Sequence, residues 1–159
     1  MPNTAEQYTT QLTQFNDELL ALARQFSDGE WAQTCQNDER SVGAVVHHVA
    51  ATHADFLHIV EVFAAGQTYS PRQSQDDVHA ANARQSQDHS AADRHAVLDA
   101  LHTNGAALAA RVATLDGDLE RAAGVYGGHS LSVAQVLEWI VIGHIREHLD
   151  NLHATFASA

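Results

Sequence analysis

An all-α four-helix bundle is predicted, on three observations. Four stretches place large apolar residues three and four apart, which gives each helix one buried stripe. Alanine is abundant, Gly (9) and Pro (2) are scarce in 159 residues, and no stretch alternates β-branched with polar residues. The connections are uneven, about a dozen residues at each end but more than 20 between the second and third helices, so the second connection is long enough to cross over. An up-down-down-up order within a single domain, residues 1–159, follows.

The first helix is expected over Thr4–Ser27, with Tyr8, Leu12, Phe15, Leu19, Leu22 and Phe26 on its seam and Asp28-Gly29 closing it. Glu30 to Arg40 reads as a polar connection carrying Trp31 and Cys35. Ser41 caps a second helix that runs to about Ala65 and buries Val42, Val45, Val46, Val49, Phe56, Ile59, Val60 and Phe63, with Gly66 as its stop. After Pro71, a short surface helix is expected within Gln73–His89. Ser90-Ala91-Ala92-Asp93 reads as a capping box for the third helix, which carries Val97, Leu98, Leu101, Leu108, Val112 and Leu115. Gly105 would allow close packing there. Asp116-Gly117-Asp118 breaks this helix, and Leu119–Leu131, with Gly124, Gly127 and Gly128, is a connection. Ser132-Val133-Ala134-Gln135 is a second capping box, opening a fourth helix to about Phe156.

The formal net charge is −12, from eight Arg, no Lys and 20 acidic residues. Such a surface repels nucleic acid, and the absence of Lys excludes Schiff-base chemistry. No apolar run is long enough to span a membrane, and the polar N-terminus is not a signal peptide. One cysteine, Cys35, excludes an internal disulfide framework and fits a reducing compartment, so the cytoplasm is expected.

The chemistry-bearing feature lies on the fourth helix. Val133, Leu137, Ile140, Val141, His144, His148 and Leu152 share the stripe predicted to face the core. With twelve histidines in the chain, about one pair four residues apart arises by chance, so the spacing alone means little. Its place in an apolar seam means more, because packing gives no reason for two imidazoles there and metal binding does. His48 lies on the flank of the second helix, in line with Val45, Thr52, Asp55 and Ile59. If helices two and four are antiparallel, His48 lies ~10 Å into one and the His144–His148 pair ~15 Å from the end of the other, so the three imidazoles reach one level. Three protein ligands with open positions is the arrangement of a catalytic metal. Zinc or nickel is expected first. His47, Thr52 and Asp55 are candidate pocket or supporting residues.

At these residues the chain resembles a known family. Thr34-Cys35 and Arg40-Ser41-Val42-Gly43-Ala44-Val45-Val46-His47-His48-Val49-Ala50 is similar to the helix-two signature of the DinB-like superfamily. Gly143-His144-Ile145-Arg146-Glu147-His148-Leu149 is similar to its second signature, two histidines four apart near the C-terminus. The superfamily includes damage-inducible DinB proteins and thiol-dependent maleylpyruvate isomerases. The resemblance implies a four-helix bundle with a three-histidine metal site at His48, His144 and His148, frequently a homodimer. It also implies transfer or isomerisation reactions with a low-molecular-weight thiol as co-substrate. The chain departs where the family usually has Trp before Ser-Val, since Arg40 stands there. The maleylpyruvate isomerases also carry a C-terminal domain with no counterpart in these residues.

His144-Ile145-Arg146-Glu147-His148 also fits the inverted zinc-protease signature, but that reading needs a further ligand well downstream. Glu147 is expected on a solvated flank. His53, His58, His79, His89, His95, His102 and His153 are expected at the surface, and His129 in a loop. Cys35 reads as an inert loop thiol, and Trp31 and Trp139 as packing residues. Two functions follow. One is a metal-dependent thiol S-transferase, isomerase or hydrolase acting on a small electrophile, its general acid or base unassigned. The alternative is a non-catalytic dimeric stress-related bundle with a structural or vestigial metal.

Overall fold

The structure, a computed structural model, describes residues 3–71 and 93–157. Its helices are α1 (Ala5–Gln25), the short α2 (Asp28–Ala32), α3 (Val42–Ala64), α4 (Arg94–Val112), and a final rod of α5 (Val133–Gln135), a π-helical segment (Val136–Ile142) and α6 (Gly143–Ala157). The rod is the fourth predicted helix. A 3-10 turn (Asp116–Asp118) and an antiparallel hairpin, β1 (Ala122–Tyr126) with β2 (His129–Ser132), precede it.

Contacts between the long helices give their directions. Asn16 of α1 meets Leu101 of α4, while Arg94 reaches the Ala23 carbonyl, so α1 and α4 are antiparallel. Asn104 donates to the Ala50 carbonyl and Arg111 pairs with Glu61, so α3 and α4 run parallel. Gln36, just before α3, bonds Thr155 near the end of α6, while His48 faces His144, so α3 and the rod are antiparallel. His153 meets Glu18 and Phe156 packs on Phe26, so the rod runs with α1. This is up-down-down-up. The surface helix expected within 73–89 lies outside the described residues.

Caps close most elements where the sequence places them. Thr4 and Gln7 form a capping box for α1, Ser41 accepts from the Ala44 N–H, and Ser132 with Gln135 opens the rod. Three boundaries differ. Asp28-Gly29 does not merely end α1 but starts α2, because Ser27 and Glu30 make a capping box of their own. Asp93, not Ser90, caps α4, accepting from the His95 N–H. The Gly-rich connection is a hairpin: Gly124, at φ 142°, sits where a Cβ would strike the Tyr69 carbonyl, and Tyr69 in turn donates to the Ala123 carbonyl. Arg121 beside it donates to the Phe63 and Gln67 carbonyls and so caps the end of α3.

The rod's core stripe also differs from the α-helical expectation. The buried residues are Val133, Val136, Leu137, Val141 and Ile142, then Ile145, Leu149 and Leu152. Ile140, His144 and His148 are only partly buried. The π-helical segment is the cause: the Gly143 N–H bonds the Glu138 carbonyl, five residues back, which puts an extra residue into the turn and moves the core stripe one position along the rod. The imidazoles are therefore turned off the bundle axis and onto the seam shared with α3.

Candidate metal centre

The loop before α3 is fastened at both ends. The Cys35 N–H bonds the Arg40 carbonyl at 3.0 Å and the Val42 N–H bonds the Gln33 carbonyl at 2.8 Å. Gln36 donates to Thr155 Oγ1 at 2.9 Å and Asn37 to Asn151 Oδ1 at 3.2 Å, which ties this loop to α6. Trp31 of α2 covers Gly43, where any Cβ would lie 2.2 Å from its ring nitrogen. The first turns of α3 are thus held against α6, and His48 faces His144 and His148.

The three Nε2 atoms converge. His144 Nε2 lies 3.0 Å from His48 Nε2 and 3.2 Å from His148 Nε2. Two nitrogens bound to one ion at the usual Zn–N length stand about 2.9–3.3 Å apart, for angles from a right angle to tetrahedral. The ring centroids are 4.5–5.1 Å apart and the rings meet edge-on, so this is not stacking. Phe56 closes one side, its centroid 5.5 Å from that of His144.

The electrostatics suit ligation. Burial, with His148 and His48 beside it, pushes the His144 pKa down to about 2. Burial, helped by His48 and Arg40 and opposed by Asp38, pushes His148 down to about 4. Both rings are therefore neutral near pH 7, the form that binds metal. Hydrogen bonds among the three rings need a proton between each bonded pair, whereas one ion at the centre would meet three lone pairs at once. The donor set fits a divalent cation.

Asp38 and Arg40 stand next to this cluster. Arg40 donates from Nε (2.9 and 3.1 Å) and Nη2 (2.6 Å) to the Asp38 carboxylate. Burial alone would raise the Asp38 pKa, but the guanidinium outweighs it and keeps the carboxyl ionised. A cleft of about 750 Å³ opens between this loop and the outer face of the rod, with Asn37, Asp38, Trp139, Glu147 and His148 in its wall.

A sequence model of the DinB superfamily matches residues 11–151, most of the chain and both histidine signatures. The chain belongs to the DinB superfamily. No curated protein and no solved structure matches it.

In this DinB-superfamily chain the three sequence-predicted ligands come together, and they form the one metal-capable cluster found among the described residues. The three supporting candidates are not among its ligand groups. His47 is half-buried beside it, Thr52 donates its hydroxyl back to the His48 carbonyl at 2.7 Å, and Asp55 is on the exposed side of α3. Partial shielding still raises the Asp55 pKa, against the pull of His58. Glu147, His58, His95, His102 and His153 are exposed, as expected; His129 is exposed too, but it opens β2 where a loop was expected, and His79 and His89 lie outside the described residues. Burial, with Asp38 adding to it, pushes the Cys35 thiol up to about 11, so it stays protonated and unreactive.

Two expectations are corrected. His53 is not at the surface but fully buried, its Nε2 2.9 Å from Asn16 Oδ1. Trp139 is not a packing residue: it is 58 % exposed and borders the cleft. The Asp38–Arg40 pair was not anticipated at all. The signal available was an acid and a base two residues apart, directly ahead of a helix cap.

Proposed function

We propose that this protein is a metal-dependent enzyme of the DinB type, holding zinc or nickel through His48, His144 and His148. The convergence of three imidazole nitrogens on one point carries this reading. A divalent ion held there would lower the pKa of a bound water or thiol, supplying a nucleophile at neutral pH for transfer, isomerisation or hydrolysis. The side chains around it do the rest. Phe56 keeps water from one side, and the fastened loop holds Asp38 and Arg40 in place. The cleft beside His148 admits a small electrophile and a low-molecular-weight thiol. A homodimer, as the family resemblance implies, is part of the proposal.

The test is metal analysis of tag-free protein alongside a screen of small thiols with electrophiles. About one metal per chain is expected, lost in His144→Ala together with thiol-dependent turnover, while the metal-free bundle stays folded. A chain that unfolds when the metal is removed and turns over no thiol would be the non-catalytic bundle instead.

A further inference from the structure

The cleft beside the three histidines has a wall that the metal reading leaves unused. Trp139 belongs to the π-helical segment, borders the cleft and is 58 % exposed. A lone exposed aromatic side chain is ordinary on a protein surface. This one stands in a cavity of about 750 Å³ that His148 also lines, and π-helical turns recur at functional sites. Trp139, Gly143 and Glu147 are four apart, so they follow one another along the outer face of the rod, and all three line the cleft. Helix side chains lean back over the turn before them, which carries the Glu147 carboxylate toward Gly143 and Trp139. Gly143 has no side chain to put between them. The indole and the carboxylate therefore border one open space.

The protein supplies no cation to that space from the described residues. Arg146 shares the cleft wall and is four residues from Asp150, a spacing at which helix side chains can pair. Its guanidinium lies instead over the Phe15 ring of α1, 5.7 Å from the centroid. Arg40 is engaged by Asp38. Glu147 and Asp150 are exposed and form no ion pair among the described residues. Carboxylates alone do not make a site, because water solvates them well. An exposed indole face beside one is different, since a cation there is drawn by the ring quadrupole and by the carboxylate at once.

Resting on the metal reading above for its reacting end, we propose that the substrate is a small amine bound in its protonated form. Its ammonium group lies over Gly143, between the Trp139 indole and the Glu147 carboxylate, and the rest of the molecule extends toward the three-histidine cluster. A divalent ion at that cluster would repel a second cation. Gly143 and His148 are five residues apart, however, ~7–8 Å along the rod. Over that distance water and salt weaken the repulsion, and Glu147 and Asp150 in the same cleft oppose it. The contacts with the indole and Glu147 are made at close range. Anions meet only the carboxylates, so the cleft selects by the sign of the charge.

The experiment titrates 2-phenylethylammonium at pH 7 into zinc-loaded protein, with 2-phenylethanol as its neutral counterpart, and reads binding by ligand-observed NMR. The ammonium ion should bind saturably and the alcohol about tenfold more weakly. Glu147→Gln should weaken the ammonium ion about three- to tenfold and leave the alcohol unchanged. Trp139→Ala should weaken the ammonium ion about three- to thirtyfold. Both residues are exposed, so both variants should keep the fold and the zinc stoichiometry of the parent. Alcohol binding as tight as that of the ammonium ion, or an unchanged ammonium affinity in Glu147→Gln, overturns the proposal. One zinc per chain without this selectivity sinks the proposal and leaves the metal reading standing. If the protein takes up no zinc, the metal reading falls separately, and the same titration is read on the metal-free chain. Ammonium selectivity that Glu147→Gln removes then upholds the subsite, and its absence overturns it.

Discussion

His48 and His53 lie little more than one turn apart on α3, and they face opposite kinds of partner. His53 meets an amide: Asn16 Oδ1 from α1, whose Nδ2 goes on to the Leu101 carbonyl of α4 at 3.4 Å. Gly105 of α4 makes the room, since a Cβ there would sit 2.4 Å from Asn16 Nδ2. The result is a polar knot tying three helices inside an apolar core. His48 faces imidazoles, its Nε2 3.0 Å from that of His144, which in turn lies 3.2 Å from that of His148. Of the two, the more deeply buried histidine is the structural one. Burial alone does not mark a functional histidine; the atom it faces does.

The largest expected effects are reciprocal. His48→Ala should abolish stoichiometric metal binding and leave the metal-free chain about as stable as before, because three close lone pairs add little to the fold. His53→Ala should leave metal stoichiometry intact and cost about 2–4 kcal/mol, through a cavity plus an unpartnered Asn16 amide. Denaturant melts of both metal-free variants, with metal analysis beside them, check this. Equal destabilisation by the two substitutions would erase the distinction.

Acid acts on both regions with one sign. Burial pushes His53 down to about 4, so the fold keeps it neutral where the unfolded chain protonates near the ordinary 6.5. Between those values the unfolded state binds more protons, and stability falls as pH falls. The whole contribution of His53 is present above pH 6.5 and lost by about pH 4, on the order of 3 kcal/mol. His148 shifts the same way and deepens the loss over the same window, and His144 extends it downward. Melts of the metal-free chain from pH 7 to 4 should slope accordingly, and His53→Gln should flatten that slope by up to one proton. An unchanged slope in that variant contradicts the buried, neutral assignment.

Much of this was legible in the sequence, and the gaps have physical causes. The long helices follow from three-and-four spacing, and the three histidines follow from spacing and family signature together. The π-helical segment does not: Val136–Ile142 has nothing in its composition that separates it from an ordinary apolar helix, and only packing on both sides selects the bond to the fifth residue back. That segment turned His144 and His148 from the expected core stripe toward α3. His53 reads as a polar flank until Asn16 and Gly105 arrive from two other helices. The pairing of Asp38 with Arg40 depends on the loop being fastened to α6 through Thr155 and Asn151, which are more than a hundred residues away in the chain.

The smallest and most discriminating change is Gly105→Ala. In an isolated helix this substitution would stabilise by up to about 1 kcal/mol, because Gly loses more backbone freedom on folding than Ala. Here the new methyl group meets the Asn16 amide at 2.4–2.8 Å. Asn16 has a flexible side chain, but moving it gives up its bond to His53, and His53 Nδ1 is already buried without a partner among the described residues. Losing that bond costs about 1–3 kcal/mol, so the net change should be a modest destabilisation of about 1–2 kcal/mol. Metal stoichiometry should not change, because neither His48 nor α6 touches Gly105 in the described contacts. If Gly105→Ala instead raises the melting temperature, helix propensity outweighs the knot and Asn16 is a spectator. If it lowers metal binding along with stability, the two histidine sites on α3 are one coupled unit rather than two.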